Sequence, residues 1–194
     1  MKHIATMALI FNLGAAGLYA QETSVKMTFS GTEGQSAIDL HYPDPNSGAI
    51  NTGEFDFGGD GTLGSFTFRN VEADSDLRFP QQSSACPANQ AYFPTLAGAG
   101  VFRFRDGSLL KVNLTKGHDC IDFVAPEAHC TRIFEVTGGT GRFKDASGTL
   151  TLTETVHPVM TNAAGFPAFF MAAGKFTGTI SGVVSKEQDP DEQQ

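Results

Sequence analysis

Two ionisable residues lie where the sequence pattern favours apolar ones. Apolar and polar residues alternate from Leu150 to Val156, as in a strand with one buried face, and Glu154 falls on the apolar side. Arg132 has the same relation to Phe134 and Val136. An inward carboxylate and guanidinium can pair with each other or orient a polar group of a ligand, and a buried carboxylate can act as general acid or base. The alternative is that both lie near strand ends and reach water, since Arg and Glu are rarely fully buried.

Histidine and cysteine residues are concentrated between positions 116 and 130, and these are the usual ligands of zinc and copper. His118 and Cys120 lie in one part of this segment, and His129 and Cys130 are adjacent in the other. Adjacent residues of a strand point to opposite faces, so His129 and Cys130 do not easily bind one ion. We therefore expect neither a metal site nor a cofactor. No spacing of Ser, His and acidic residues indicates a hydrolase triad.

The cysteines instead predict a disulfide. Cys120 and Cys130 lie ten residues apart in what the pattern indicates is one hairpin, and centring that hairpin on Ala125 places them opposite each other with Pro126 in the loop. We expect this pair to be joined. Cys86 is then left free or paired to another chain, although a bond from Cys86 to one of the other two stays open.

The most specific stretch is V-T-G-G-T-G-R-F-K-D-A-S-G-T-L-T-L, residues 136–152, a glycine-rich turn between two strands. Gly138, Gly139 and Gly141 permit positive φ, and Phe143 can pack under the turn as its apolar anchor. The same letters resemble a dinucleotide-binding loop. That loop requires a following helix and a glycine at the position of Lys144, whereas a Thr-rich alternating strand follows here.

Composition limits the classes of protein. Residues 1–20 contain a basic residue, a short apolar run and a small residue at the end, which predicts a signal peptide and a secreted protein, extracellular or periplasmic. The 194-residue chain has a formal charge of −8, which disfavours nucleic acid and anionic membranes as partners. No later segment predicts a membrane span. We expect one domain over residues 21–185 and a disordered acidic tail over residues 186–194.

The rest of the chain predicts β-structure throughout. Alternating segments recur with turn residues between them, of which the hairpin around Asp106-Gly107 is the clearest. Residues 74–98 show no pattern and are interpreted as a long loop, a candidate lid or binding loop. The fold class is therefore all-β, a single antiparallel barrel of about eight strands, which can leave room for one small ligand.

The motif Gly138-Gly139-Thr140-Gly141-x-Phe143-x-x-Ala146-x-Gly148, followed by an alternating strand, resembles that of the allene oxide cyclase-like barrels, a group that includes the dirigent proteins. Cys120-Ile121-Asp122 and Cys130 resemble the version found in secreted bacterial proteins of this type. The resemblance implies an eight-stranded barrel with an apolar lumen, and a trimer as in the plant members. It carries over no catalytic residue. Two functions follow as hypotheses: a non-enzymatic secreted module that binds a small apolar molecule, or a cyclase-like or dirigent-like enzyme that shapes a reactive intermediate.

Overall fold

The computed structural model describes residues 22–38, 50–75 and 80–184. In these ranges eight strands pair in chain order, each antiparallel to the next, and the last pairs with the first to close a barrel. The all-β barrel expected from the sequence is therefore confirmed. The strands are β1 (Thr23–Ile38), β2 (Ile50–Gly61), β3 (Phe66–Asp74), β4 (Ala91–Phe104), β5 (Leu109–Asp122), β6 (Glu127–Gly139), β7 (Ser147–Thr161) and β8 (Pro167–Ser181). The predicted signal peptide and acidic tail lie outside the described residues.

Side chains alternate between the lumen and the outer surface, as the period of two requires. In β3 the even-numbered residues from 66 to 74 are buried, and three of the four odd-numbered ones are exposed. The predicted loop over residues 74–98 is shorter than expected, because β4 already begins at Ala91 and buries Phe93. No helix in the described part of the chain is long and apolar enough to cross a membrane.

One half of the lumen is filled by phenylalanine rings. This half lies at the turn end, defined here as the end with the β2–β3, β4–β5 and β6–β7 connections. Phe68 lies at its centre, with four other rings at centroid distances of 4.4 to 6.2 Å. These rings are fully buried, and burial of such side chains contributes about 1.5–3 kcal/mol each. The four partner rings are Phe57, Phe102, Phe134 and Phe176.

The glycine-rich turn closes the same end through a short 3-10 helix, Gly141–Phe143. Gly138 and Gly141 have φ of +93° and +57°, a region that glycine reaches at little cost. Gly139 serves a different purpose, since a Cβ there would lie 1.9 Å from the carbonyl oxygen of Leu109 on β5. Phe143 is fully buried, with its ring centroid 4.7 Å from that of Phe104. The turn thus seals the phenylalanine-filled half.

A β-bulge in β5 reverses which residues face the lumen. Before it, Leu110 and Val112 are buried; the register then shifts between Leu114 and Lys116. Beyond the shift, Asp119 lies opposite the buried Cys130 of β6. Such an irregularity inserts one residue and moves every later side chain to the other face.

The predicted disulfide between Cys120 and Cys130 is wrong for this reason. Cys120 pairs in register with His129, so Cys120 lies on the outer face while Cys130 lies in the lumen. Cys120 is joined to Cys86 from the β3–β4 connection, with the two Cα atoms 5.5 Å apart. Cys130 is buried and free, and burial raises the pKa of its thiol well above its ordinary value. Pro126 does lie in the β5–β6 turn.

Peptide mapping of unreduced protein tests the bond. We expect one linked pair of peptides, containing Cys86 and Cys120, and a Cys130 that reacts with thiol reagents only after unfolding. The double variant Cys86→Ala/Cys120→Ala is expected to lose about 4 kcal/mol of stability, since the bond closes a loop with a sequence separation of 34. A linked peptide that contains Cys130 would contradict the assignment.

Gly141→Val tests the glycine turn. The new Cβ would lie 2.5 Å from the Ser108 hydroxyl oxygen, at a φ that valine rarely adopts, so a loss of about 1–3 kcal/mol is expected in thermal or urea unfolding. Gly58→Val is the control, because a Cβ at this strand position meets no atom within 4 Å. Equal effects of the two substitutions would show that the turn has no special requirement.

Candidate functional site

Arg132 lies at the centre of a polar region inside the barrel, with 2% of its surface exposed. Its Nε donates to both carboxylate oxygens of Glu72, at 2.8 and 2.7 Å, and its Nη2 also donates to Glu72. Its Nη1 lies 3.1 Å from Asp119 Oδ1 and 3.2 Å from Glu154 Oε1. The guanidinium carbon lies 5.2 Å from the centroid of the Phe55 ring. One cation on β6 therefore joins carboxyl groups from β3, β5 and β7.

Two further acids share this region. Glu33 on β1 and Asp74 at the end of β3 are 7% and 5% exposed. Arg132 and Glu154 influence the titration of Glu33, and Glu72 and Asp119 influence that of Asp74, which places both acids near the ion pair. Together these residues occupy the far half of the lumen, away from the glycine turn. We name this group the luminal acid cluster: Glu33, Glu72, Asp74, Asp119, Arg132 and Glu154.

Burial raises the pKa of several of these carboxyl groups. Desolvation raises the pKa of Glu154 to about 8, and the nearby Glu72 and Asp119 add to this, while Arg132 opposes it. Desolvation also raises the pKa of Glu33 and of Asp74 well above their ordinary values. Burial raises the pKa of Glu72 too, against the opposing charge of Arg132.

Several oxygens of the cluster have no hydrogen-bond partner. These are Glu33 Oε1, Asp74 Oδ1 and Glu154 Oε2, together with the amide oxygen of Asn70, whose Nδ2 donates to Glu72 at 3.1 Å. Buried polar atoms are nearly always hydrogen-bonded, so such a concentration calls for an explanation. A polar group of a small molecule would supply the missing partners.

The structure brings together the two residues selected from the sequence. Arg132 and Glu154 both point into the lumen and contact each other, so they do not reach water at the rim. Sequence reasoning missed Glu72 and Asp74, although both are an even number of residues from Phe66 and Phe68 and so should point to the same face of β3. It also missed Glu33, which lies four residues after Phe29 on β1 and so should point to the same face. The alternation in the sequence does not predict that Asp119 points inward, because the bulge in β5 changes the face on which it lies.

The structure shows where the candidate metal ligands between positions 116 and 130 lie. Among the described residues, one group of three such ligand atoms lies within 4.8 Å of one another: Cys86, His118 and Cys120. Both cysteines of this group are engaged in the disulfide. His129 is exposed on the outer surface, 3.3 Å from the hydroxyl of Thr155, and is separated from Cys130 by the sheet.

Comparisons with known proteins add little to this picture. No protein-family model matches the sequence, and no curated protein matches it. A solved structure, that of the pterocarpan synthase dirigent protein, is similar to this chain with a TM-score of 0.39 and 11% identity, over 90% of this chain and 99% of that one. No ligand or activity is carried over from it, and the fold assignment depends on the strand pairing described above.

The raised pKa of Glu154 predicts that stability falls as pH rises. In the unfolded chain Glu154 ionises near 4.5, whereas the folded protein keeps its proton up to about 8. Between these values the folded state binds more protons, and each unit of pKa elevation costs at most about 1.4 kcal/mol of stability as pH increases. We expect the melting temperature to fall from about pH 5 to pH 8.

Glu154→Gln should flatten this slope without abolishing it, because Glu33 and Asp74 also have raised pKa values. Glu135→Gln is the matched control on β6, since Glu135 is exposed on the outer surface. A wild-type melting temperature that is constant, or that rises over this range, would show that the carboxyl groups are already ionised in the folded protein.

Proposed function

We propose that this protein is an exported β-barrel module that binds a small, mostly apolar molecule in the far half of its lumen, without carrying out a reaction on it. The observation that carries the proposal is the group of buried, unpartnered oxygens in the luminal acid cluster. A packed structural module would gain stability from apolar residues at these positions, because isolated buried polar groups cost free energy. A ligand that donates hydrogen bonds to these oxygens would explain why polar residues occupy these positions.

Apolar side chains lie beside the cluster and favour a ligand with an apolar body. Phe55 lies opposite Glu33 on β2, and Phe170, which packs against the core, lies opposite Glu33 on β8. Val156 and Ala172 are buried next along their strands from Glu154 and its neighbour Gly174. Small-molecule sites commonly combine such walls with a few polar groups.

The Cys86–Cys120 disulfide supports export, since such bonds persist in oxidising compartments. The segment 1–20, with the composition of a signal peptide, supports the same conclusion. The trimer implied by the family resemblance stays a prediction. Native mass spectrometry of protein purified from its own source measures the oligomeric state and any retained small molecule together.

A second candidate function is catalytic, in the manner of a cyclase-like or dirigent-like enzyme. It is favoured by Glu154, whose pKa of about 8 makes it a proton donor near neutral pH. Such an enzyme would convert the molecule it binds. Native mass spectrometry distinguishes the two functions, because a binding module releases its ligand unchanged.

A titration with a neutral naphthalene ketone, whose emission shifts in apolar surroundings, tests luminal binding. Wild type and the Glu135→Gln control are expected to bind it best below about pH 8, while Glu154 is uncharged, and less well above that value. Glu154→Gln should weaken this dependence on pH. If neither wild type nor variant binds, the lumen is filled and the protein is a structural module. If both bind alike at every pH, Glu154 lies outside the site.

A further inference from the structure

We infer that the tip of the β7–β8 hairpin, residues 159–167, docks the protein on a bilayer of zwitterionic lipids by entering the headgroup layer. This contact uses the outer surface of the protein, so it goes beyond the proposed luminal site and does not depend on it. Three features of the tip support it: its exposure, its lack of charge and the hydrogen bonds of its backbone.

The hairpin tip projects from the barrel. Within the described residues, pairing of β7 with β6 ends at Val156, and pairing of β8 with β1 ends at Phe169. β7 and β8 continue to pair with each other as far as Thr161 and Pro167. Every residue from 159 to 167 is exposed. The tip is therefore covered by neither neighbouring strand.

The exposed side chains of the tip are apolar and uncharged. Val159, Met160 and Phe166 are 48 to 63% exposed. Residues 155–174 contain no Asp, Glu, Lys or Arg. A contiguous exposed apolar surface of this kind marks a contact with a protein or a membrane.

A second connection at the same end of the barrel adds to this surface. The β5–β6 turn exposes Phe123 and Val124 next to the β7–β8 hairpin in strand order. Two neighbouring connections thus present apolar side chains in the same direction. The formal charge of −8 disfavours anionic lipids, so the surface suits a bilayer without net charge.

The backbone of the tip already has hydrogen-bond partners. Asn162 N donates to Phe166 O at 2.8 Å, and Gly165 N donates to Asn162 O at 2.9 Å. The side-chain oxygen of Asn162 accepts from Ala164 N at 2.9 Å and from Phe166 N at 3.1 Å. Lipid offers no substitute for water at unpaired backbone groups, which makes them costly there. These four N–H groups can enter the lipid interface without losing a partner.

Exposure on every side favours lipid over a folded partner protein. A flat protein surface would cover one side of a narrow hairpin, whereas lipid surrounds it. Interfacial segments bury their apolar side chains about 5–10 Å into the boundary between headgroups and acyl chains. The part of β7 beyond Val156 reaches about 16 Å, at about 3.3 Å per residue. The tip is therefore long enough to enter this layer while the barrel stays in water.

Flotation with phosphatidylcholine vesicles tests the contact. We expect the wild type to bind and Met160→Ser/Phe166→Ser to bind about tenfold more weakly or less, because the variant loses apolar surface that lipid would bury. Val71→Ser/Val101→Ser is the matched control and should bind like the wild type, since these valines are exposed on β3 and β4, across the barrel from the hairpin. Added salt should not release the protein, because the tip carries no charge.

A fluorescent reporter tests which part of the protein enters the lipid. The sequence contains no tryptophan, so Phe166→Trp places a single one at the tip. Its emission should shift to shorter wavelength when vesicles are added, and lipids brominated on the acyl chains should quench it. Val71→Trp should show neither effect.

Melting curves establish that each variant is folded. If the wild type does not bind phosphatidylcholine vesicles, lipid docking is wrong. If Met160→Ser/Phe166→Ser binds like the wild type, or Phe166→Trp shows no shift, another surface makes the contact and the assignment to the tip is overturned. Binding only to vesicles that contain phosphatidylserine, with release by salt, would show an electrostatic contact instead. Self-association of the wild type that the serine variant loses, without vesicle binding, would show that a second copy covers the tip, which also overturns lipid docking.

Discussion

The buried ion pair between Arg132 and Glu72 is the interaction on which the polar half of the barrel depends. It joins β6 to β3 across the lumen, with the guanidinium directed at both carboxylate oxygens of Glu72. Removing one partner of such a pair commonly costs about 3–5 kcal/mol, because the other charge stays buried. Without Arg132 the surrounding acids would have no internal counter-ion. Its presence explains how several carboxyl groups coexist in one small volume.

The two halves of the lumen have opposite physical roles. Around Phe68 the rings pack against one another and contribute the apolar burial that a barrel of this size requires. The far half contributes desolvated acids, which cost free energy. The phenylalanine-filled half therefore offsets the cost of burying these acids. Gly139 and Phe143 seal the first half, so the buried acids lie at the opposite end of the lumen.

Side-chain parity predicted the fold and part of the site. It identified the strands and the inward direction of Arg132 and Glu154, because both follow an unbroken alternation. The same rule, applied to β3, also predicts that Glu72 points into the lumen. Parity fails wherever a strand contains a bulge, since the sequence of β5 shows no break between Leu114 and Lys116 that would reveal the register shift. Beyond that point, inward and outward residues are reversed. The direction of Asp119 and the pairing of Cys120 therefore required the three-dimensional structure.

The bulge in β5 also connects the disulfide to the site. By reversing the faces of the strand, it turns Asp119 towards Arg132 and Cys120 towards the outer surface. Cys120 there holds the β3–β4 connection through Cys86, while a backbone bridge from Gln81 to Tyr92 aligns the same connection with β4. Without the extra residue, Asp119 would face solvent and Cys120 would lie in the lumen. One backbone irregularity thus places the Asp119 carboxylate beside Arg132 and the Cys120 sulfur on the outer face. Removal of the bulge would therefore disrupt the ion pair and the disulfide together.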